Sequence, residues 1–345
     1  MGGCATSFLR VTESNLASFT GQRLLISGAG GFMASNLIAR LAGVDCCIVR
    51  LQRPASTTPP KSLAPSRGEL VQGDFTQRAF WEAALPGADV VFHFAAQTSV
   101  YSADQNPAAD WQANVLPLLT LLETCRAHGH RPLILFAGTC TQFGLPEHTP
   151  VDEACPDRPV TIYDQHKLAA EAYLEHYVRN GWARGATLRL ANIYGPGPVS
   201  GKPDRGILNL MMRRALKGEA LTLFEGCGGL LRDYLCVTDA VAAFLAAAQH
   251  GEAVNGQHFV LASGEGHTLA QAFQLVAERA ALLTGKLVPV TSAPAPAGLS
   301  RIEHRNFVGD SRRLQAATGW QPRTSLAAGI DRTLQFLRAE LLSST

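Results

Sequence analysis

A chain of 345 residues can bury about three quarters of its unfolded surface, enough for one large domain or two joined ones. Its 46% hydrophobic and 17% charged content is that of a globular protein, and a net charge of +2 without a basic stripe gives no reason to expect nucleic acid as a partner. No apolar run reaches membrane-spanning length and no basic start with an apolar block opens the chain, so no membrane partner and a cytoplasmic location are expected. The eight cysteines are scattered and the ten histidines show no ligand spacing, which reads as reduced thiols and no metal site.

Residues 1–20 form a lead-in. The apolar run 24–27 then enters Gly28-Ala29-Gly30-Gly31, and a helical pattern with Leu37, Ile38 and Leu41 leaves it. Strand, tight turn and helix in that order present free backbone N–H groups to a pyrophosphate. The spacing reads Gly28, Gly31, Ala34: the first glycine allows the turn, the second admits phosphates, and the alanine keeps helix close to strand. Phe32 and Met33 fall in the first turn of that helix.

Further strands are predicted at 46–49, 69–74, 88–96, 132–138 and 186–190, the first and fourth of them buried, with a Pro/Ser/Thr-rich loop at 53–67. Helices are predicted at 80–85, 109–129 and 164–180. Six strands alternating with helices predict an α/β fold, a Rossmann-type doubly wound parallel sheet. From residue 192 glycine and proline become dense, and helices at 207–217, 238–250 and 268–284 are separated by long loops. The division expected is a dinucleotide-binding domain at 21–191 and a smaller, mainly substrate-binding lobe at 192–345, left free to interleave.

Tyr163 and Lys167 stand one helical turn apart, so the ammonium can sit beside the phenolic oxygen. A tyrosine ordinarily titrates near ~10, and a neighbouring cation favours the phenolate that a base requires. Thr139 follows the buried strand 132–138, at the crevice where open α/β sheets bind ligands. Its hydroxyl can relay a proton between substrate and Tyr163, or cap a turn.

With these motifs stand Gly73-Asp74, His93-Phe94-Ala95-Ala96-Gln97, Asn114, Leu188-Arg189-Leu190-Ala191-Asn192, Arg232-Asp233-Tyr234 and Gly309-Asp310-Ser311. The ordered set, spanning about 23 to 337, resembles the extended short-chain dehydrogenase/reductases, specifically the NAD(P)-dependent nucleotide-sugar epimerase/dehydratase family. The resemblance implies a catalytic trio of Thr139, Tyr163 and Lys167. It places Asp74 and Phe75 against the adenine, and Phe94, Ala95, Ala96 and Asn114 along the cofactor channel. Asn192, Arg232 and a further arginine, Arg305 in preference to Arg301, are implied to hold the diphosphate of a sugar nucleotide. Gln97 and Thr98 lie in the loop that faces the sugar. It also implies a homodimer through helices at about 109–126 and 164–177.

Two departures matter. The second strand ends Val49-Arg50-Leu51-Gln52-Arg53, with no acid to accept a ribose 2′-hydroxyl. Arg50 or Arg53 would instead pair with a 2′-phosphate, which favours NADP with NAD left open. Cys140 and Thr141 stand where the family's 4,6-dehydratases carry an acid pair, which argues against dehydration. The expected activity is a sugar-nucleotide epimerase that oxidises a hydroxyl transiently to a ketone. The alternatives are an NADPH-dependent 4-ketoreductase of a deoxysugar nucleotide and a catalytically inert dinucleotide-binding protein; the intact trio argues against the last.

Overall fold

The computed structural model describes residues 13–54, 68–198 and 206–343. Most of the predicted lead-in and of the 53–67 loop therefore lies outside the described residues. Glu13–Phe19 is a short 3₁₀ turn whose Phe19 reaches the core.

The first half of the chain runs β1 (Arg23–Ser27), α1 (Phe32–Arg40), β2 (Cys47–Gln52), β3 (Gly68–Gln72), α2 (Arg78–Ala84) and β4 (Val90–His93). It continues with α3 (Val100–Gln105), α4 (Pro107–Asn114), α5 (Leu116–His128), β5 (Leu133–Thr139), α6 (Ile162–Arg179) and β6 (Arg184–Leu190). The second half holds β7 (Asn192–Tyr194), α7 (Ile207–Leu216), β8 (Leu221–Phe224), β9 (Leu231–Cys236), α8 (Val237–Gln249) and α9 (Gly251–Val254). It closes with β10 (His258–Leu261), β11 (Gly266–Thr268), α10 (Leu269–Thr284), β12 (Val290–Ala293), α11 (Arg312–Thr318) and α12 (Leu326–Ser343).

Seven strands form one parallel sheet in the order β3-β2-β1-β4-β5-β6-β10. Alternate residues of β1 feed opposite faces. Leu24 and Ile26 join the core with α1 and α8, while Leu25 joins Val49, Phe136, Leu118 and Leu174 beneath α2, α5 and α6. Both faces are covered, which is why the central strands read as unbroken apolar runs.

The sheet carries one strand more than predicted. After the sixth strand the chain returns to the sheet, and β10 pairs with β6 through Phe259 and Leu188. Helix α8, expected in the smaller lobe, packs Val237, Ala240 and Phe244 on the sheet instead. The two halves of the sequence thus build one sheet together. The remaining lobe packs α7, α10 and α12 around Met212, Phe273 and Ile330, beside the small sheets β11-β9-β7 and β12-β8.

The single helix predicted at 109–129 is two. Pro117 sits at the start of α5, where its missing N–H costs nothing, and the first segment ends at Asn114.

Gly28 has φ +69°, and a Cβ there would lie 2.9 Å from the backbone nitrogen of Ala95. Gly28→Ala is therefore expected to cost about 1–2 kcal/mol from left-handed strain, and more from the clash. A thermal melt indistinguishable from wild type would contradict this turn geometry.

Candidate active site

The C-terminal ends of β1, β4 and β5 converge where the glycine turn meets the loop after β4. Ser27 Oγ accepts from the Ala95 N–H at 3.1 Å and pairs with His93 Nδ1 at 3.1 Å. Burial, with the Lys167 charge nearby, pushes the imidazole down to about 3, so His93 is a neutral packing group that fixes this loop. Gly31 caps α1 in an extended conformation, and no side chain caps that helix. The leading N–H groups of Phe32 and Met33 are therefore offered to an anion over a glycine turn that a Cβ would fill. The residues present fit a dinucleotide pyrophosphate.

Several expected cofactor contacts lie elsewhere. The Phe75 ring is buried against Phe80 and Trp81, and its carbonyl accepts from Trp81 Nε1 at 2.8 Å, so only backbone is left there for an adenine. The Phe94 ring turns away into α8, 4.8 Å from Phe244 and nearly perpendicular to it. Asp74 is exposed, and the N–H and hydroxyl of Thr76 donate to it at 2.9 and 2.8 Å, which hold its carboxyl below the usual range. Arg53 is exposed just past the end of β2, whereas Arg50 lies inside the strand, paired with Ile26, with its Nε buried.

Gln97 is also redirected. Its amide nitrogen donates to Asp110 at 2.7 Å and to the Ser99 carbonyl at 2.8 Å, while its oxygen accepts from the Ser99 N–H. Asn114 Nδ2 donates to the Gln97 carbonyl and to Asp110, each at 2.9 Å, and His166 Nδ1 pairs with the other Asp110 oxygen at 2.7 Å. Gln97 and Asn114 thus shape the loop from behind, and exposed Thr98 is the loop side chain that faces the cavity.

Thr139 ends β5, and of the two roles read for it the turn cap is present. Its side chain caps the following turn, accepting the Thr141 N–H at 3.2 Å, and its hydroxyl lies 2.8 Å from that of Thr141. Tyr163 opens α6 on the opposite wall, 9% exposed. One turn on, Lys167 is buried with Nζ 3.9 Å from the centre of the Phe136 ring. Burial pushes this ammonium down to about 7, against the Glu171 and Asp110 charges that hold it up. Cys140 donates its thiol to the Arg189 carbonyl at 3.0 Å, and burial pushes that thiol up, so it is no acid or base.

Thr139, Thr141 and Tyr163 line a cavity of about 210 Å³. A larger one of about 560 Å³ adjoins it, with Leu208, Met211, Phe224 and Phe273 on its walls. Tyr101, Asn192, Glu303 and Arg305 border both. Arg305 Nη2 donates to Asn192 Oδ1 at 2.9 Å, and Arg232 donates to the carbonyls of Arg305 and of Glu303. Burial and the Arg305 charge bring the Arg232 guanidinium down to about 10. Two buried guanidiniums side by side repel each other, and a bound anion would relieve both. Arg301, the other candidate, is exposed.

The model of the NAD dependent epimerase/dehydratase family matches residues 24–262. The chain belongs to this family. It is an NAD(P)-dependent enzyme of the epimerase and related oxidoreductase type. This epimerase/dehydratase-family chain is 27% identical over 311 residues to a UDP-glucose 4-epimerase of Corynebacterium glutamicum, covering 87% of this chain and 91% of that one. It is 30% identical over 309 residues to a GDP-6-deoxy-D-mannose reductase of Pseudomonas aeruginosa, covering 88% and 93%. The crystal structure of a UDP-glucose 4-epimerase with UDP-glucose from Thermotoga maritima superposes with a TM-score of 0.83 at 26% identity, covering 93% and 100%.

Three residues of this family member escaped the sequence reading. Ser27 and Asp110 hold the two loops that frame the site, through hydrogen bonds to Ala95 and to Gln97 respectively. Asp164, between Tyr163 and Lys167, is fully buried. A carboxylate on the inner face of an amphipathic helix was a signal available in the sequence.

Proposed function

We propose that the protein is an NAD(P)-dependent sugar-nucleotide epimerase that oxidises a sugar hydroxyl to a ketone and reduces it again. One observation carries this reading: the small cavity between Thr139 and Tyr163 opens, past Asn192 and two buried arginines, into a larger apolar one. A diphosphate bridging Arg232 and Arg305 would place a sugar in the first and a nucleoside in the second. Strand β8, paired among the described residues with β12 alone, borders the larger cavity through Thr222, Leu223 and Phe224, and its other edge can hydrogen-bond a base. The relatives' names, UDP-glucose 4-epimerase foremost, agree with this assignment.

In this mechanism Tyr163, as phenolate, takes the proton of the reacting hydroxyl, directly or through Thr139. Lys167 stabilises that phenolate from one turn away and holds cofactor ribose hydroxyls with its remaining donors. Arg232 and Arg305 keep the diphosphate anchored while the keto-sugar turns over. Tyr163 then returns the proton to the carbonyl oxygen once the keto-sugar presents its other face. A bound nicotinamide supplies the hydride acceptor and, on return, the donor. The test is a panel of nucleotide sugars: interconversion of two epimers without added cofactor supports the reading, and inertness toward the whole panel overturns it.

A ketoreductase is the second reading, favoured by Arg53 beyond a β2 that ends without an acid. NADP is the cofactor this arginine prefers. Arg53→Ala is expected to lower the preference for NADP over NAD about tenfold or more, read from binding of each dinucleotide. An unchanged ratio would remove Arg53 from the site. A homodimer through α5 and α6, which pack side by side, belongs to this reading; light scattering is expected to give twice the chain mass.

A further inference from the structure

Asp164 is the third residue of α6 and is fully buried. An acid at this position usually serves the helix end, by favouring the dipole or by closing a capping box on the residue before the helix. Here Thr161 caps the helix by accepting the Asp164 N–H at 3.2 Å, and the buried carboxyl makes no well-formed hydrogen bond of its own, with the hydroxyls of Thr141 and Thr161 the polar groups nearest it. A buried carboxyl left this way costs stability, so the helix end does not account for it. The hydroxyls of Thr141 and Thr161 and the Arg305 guanidinium face it and offset part of the burial that raises its pKa.

Thr141 connects this carboxyl to the cavity. Its hydroxyl lies 2.8 Å from the Thr139 hydroxyl, and its N–H already occupies one acceptor position of Thr139 Oγ1. If Thr141 also donates its hydroxyl proton to Thr139, both acceptor positions of Thr139 are filled. The Thr139 proton is then left for the cavity. We propose that Asp164 is a positioning residue that, through Thr141, fixes the Thr139 hydroxyl as a hydrogen-bond donor into the cavity. The carboxyl donates to Thr141, Thr141 donates to Thr139, and Thr139 donates to the reacting sugar oxygen, whether alcohol or ketone. Burial favours the neutral carboxyl this arrangement needs, as in other sites where an acid is kept protonated to donate. A donor preset toward an oxygen that gains negative charge lowers the barrier without reorganising. The proposal rests on Thr139 and Tyr163 as the reacting pair and takes the direct route, in which Tyr163 itself accepts the substrate proton and Thr139 only donates.

The test uses the nucleotide sugar that the wild-type enzyme turns over in the panel above, and compares Asp164→Leu, Asp164→Asn, Thr141→Val and the double variant Asp164→Leu/Thr141→Val. Asp164→Leu is expected to lower kcat about tenfold with KM within twofold and no fall in melting temperature. Asp164→Asn, whose amide can still donate, keeps most of the rate. Thr141→Val reproduces the loss, and the double variant is no slower than Thr141→Val. Full kcat in Asp164→Leu, or losses that multiply in the double variant, overturns the proposal. If Asp164→Leu fails to fold, Asp164→Asn and Thr141→Val decide: a wild-type kcat in Thr141→Val overturns it. Tyr163→Phe separates the two levels. If Tyr163→Phe stays active, or no sugar is turned over, the catalytic reading itself falls; if it is dead while Asp164→Leu is normal, only the Asp164 proposal falls.

Discussion

Tyr163→Phe should lower turnover at least a thousandfold and leave the melting temperature within a few degrees of wild type. The hydroxyl that is removed is the group that takes and returns the proton of the reacting sugar, and a positioned acid–base group typically contributes about 10²–10⁴ in rate. The ring itself stays. It is 9% exposed at the start of α6, held by the helix and by the capping Thr161, so the fold loses no more than about one hydrogen bond's worth of stability. Binding of the nucleotide sugar, carried by Arg232, Arg305 and the apolar cavity, should change little. A variant that kept more than about a tenth of the rate would remove Tyr163 from the chemistry.

Lys167→Met should also abolish most turnover, by about a hundredfold or more, and its stability has a distinctive pH dependence. In the folded protein burial takes the ammonium from 10.5 down to about 7. Between those values the unfolded chain holds the proton more often than the folded one, so wild-type stability rises with pH across that window. Methionine has no such term. The stability of the cofactor-free wild type relative to Lys167→Met should therefore climb from pH 7 to 9, by about 1.4 kcal/mol per unit at its steepest. His93 titrates far below this window, and the remaining groups are common to both proteins. Urea melts at three pH values measure the difference. A flat or falling difference would mean that Lys167 is not buried as described.

What the sequence disclosed was whatever rests on local spacing. Gly28 needs a left-handed backbone and sits where a turn must be, and Tyr163 and Lys167 share a face because a helix repeats every 3.6 residues. The central strands announced themselves as apolar runs because helices cover both faces of the sheet. Residues whose role depends on distant partners were misread. Gln97 was assigned to the sugar, yet Asp110, thirteen residues on, claims its amide. Phe75 was assigned to the adenine, but Trp81 and Phe80 bury its ring. The seventh strand, β10, is a four-residue segment with no sign in its sequence that it would rejoin a sheet built by the first half. The break between α4 and α5 was legible in Pro117 and was passed over. Arg305 was preferred over Arg301 and is indeed the buried one, tied to Asn192 at the junction of the two cavities.

The claim on which the account stands is that the reacting sugar carbon gives up a hydride inside the site and receives the same hydride back. Turnover of the nucleotide-sugar panel in D₂O, without added cofactor and followed by NMR, tests it most directly. The account predicts that one sugar is converted to its epimer with no deuterium at the inverted carbon. Deuterium appearing at that carbon, or turnover that consumes added NADPH instead of interconverting epimers, would contradict it.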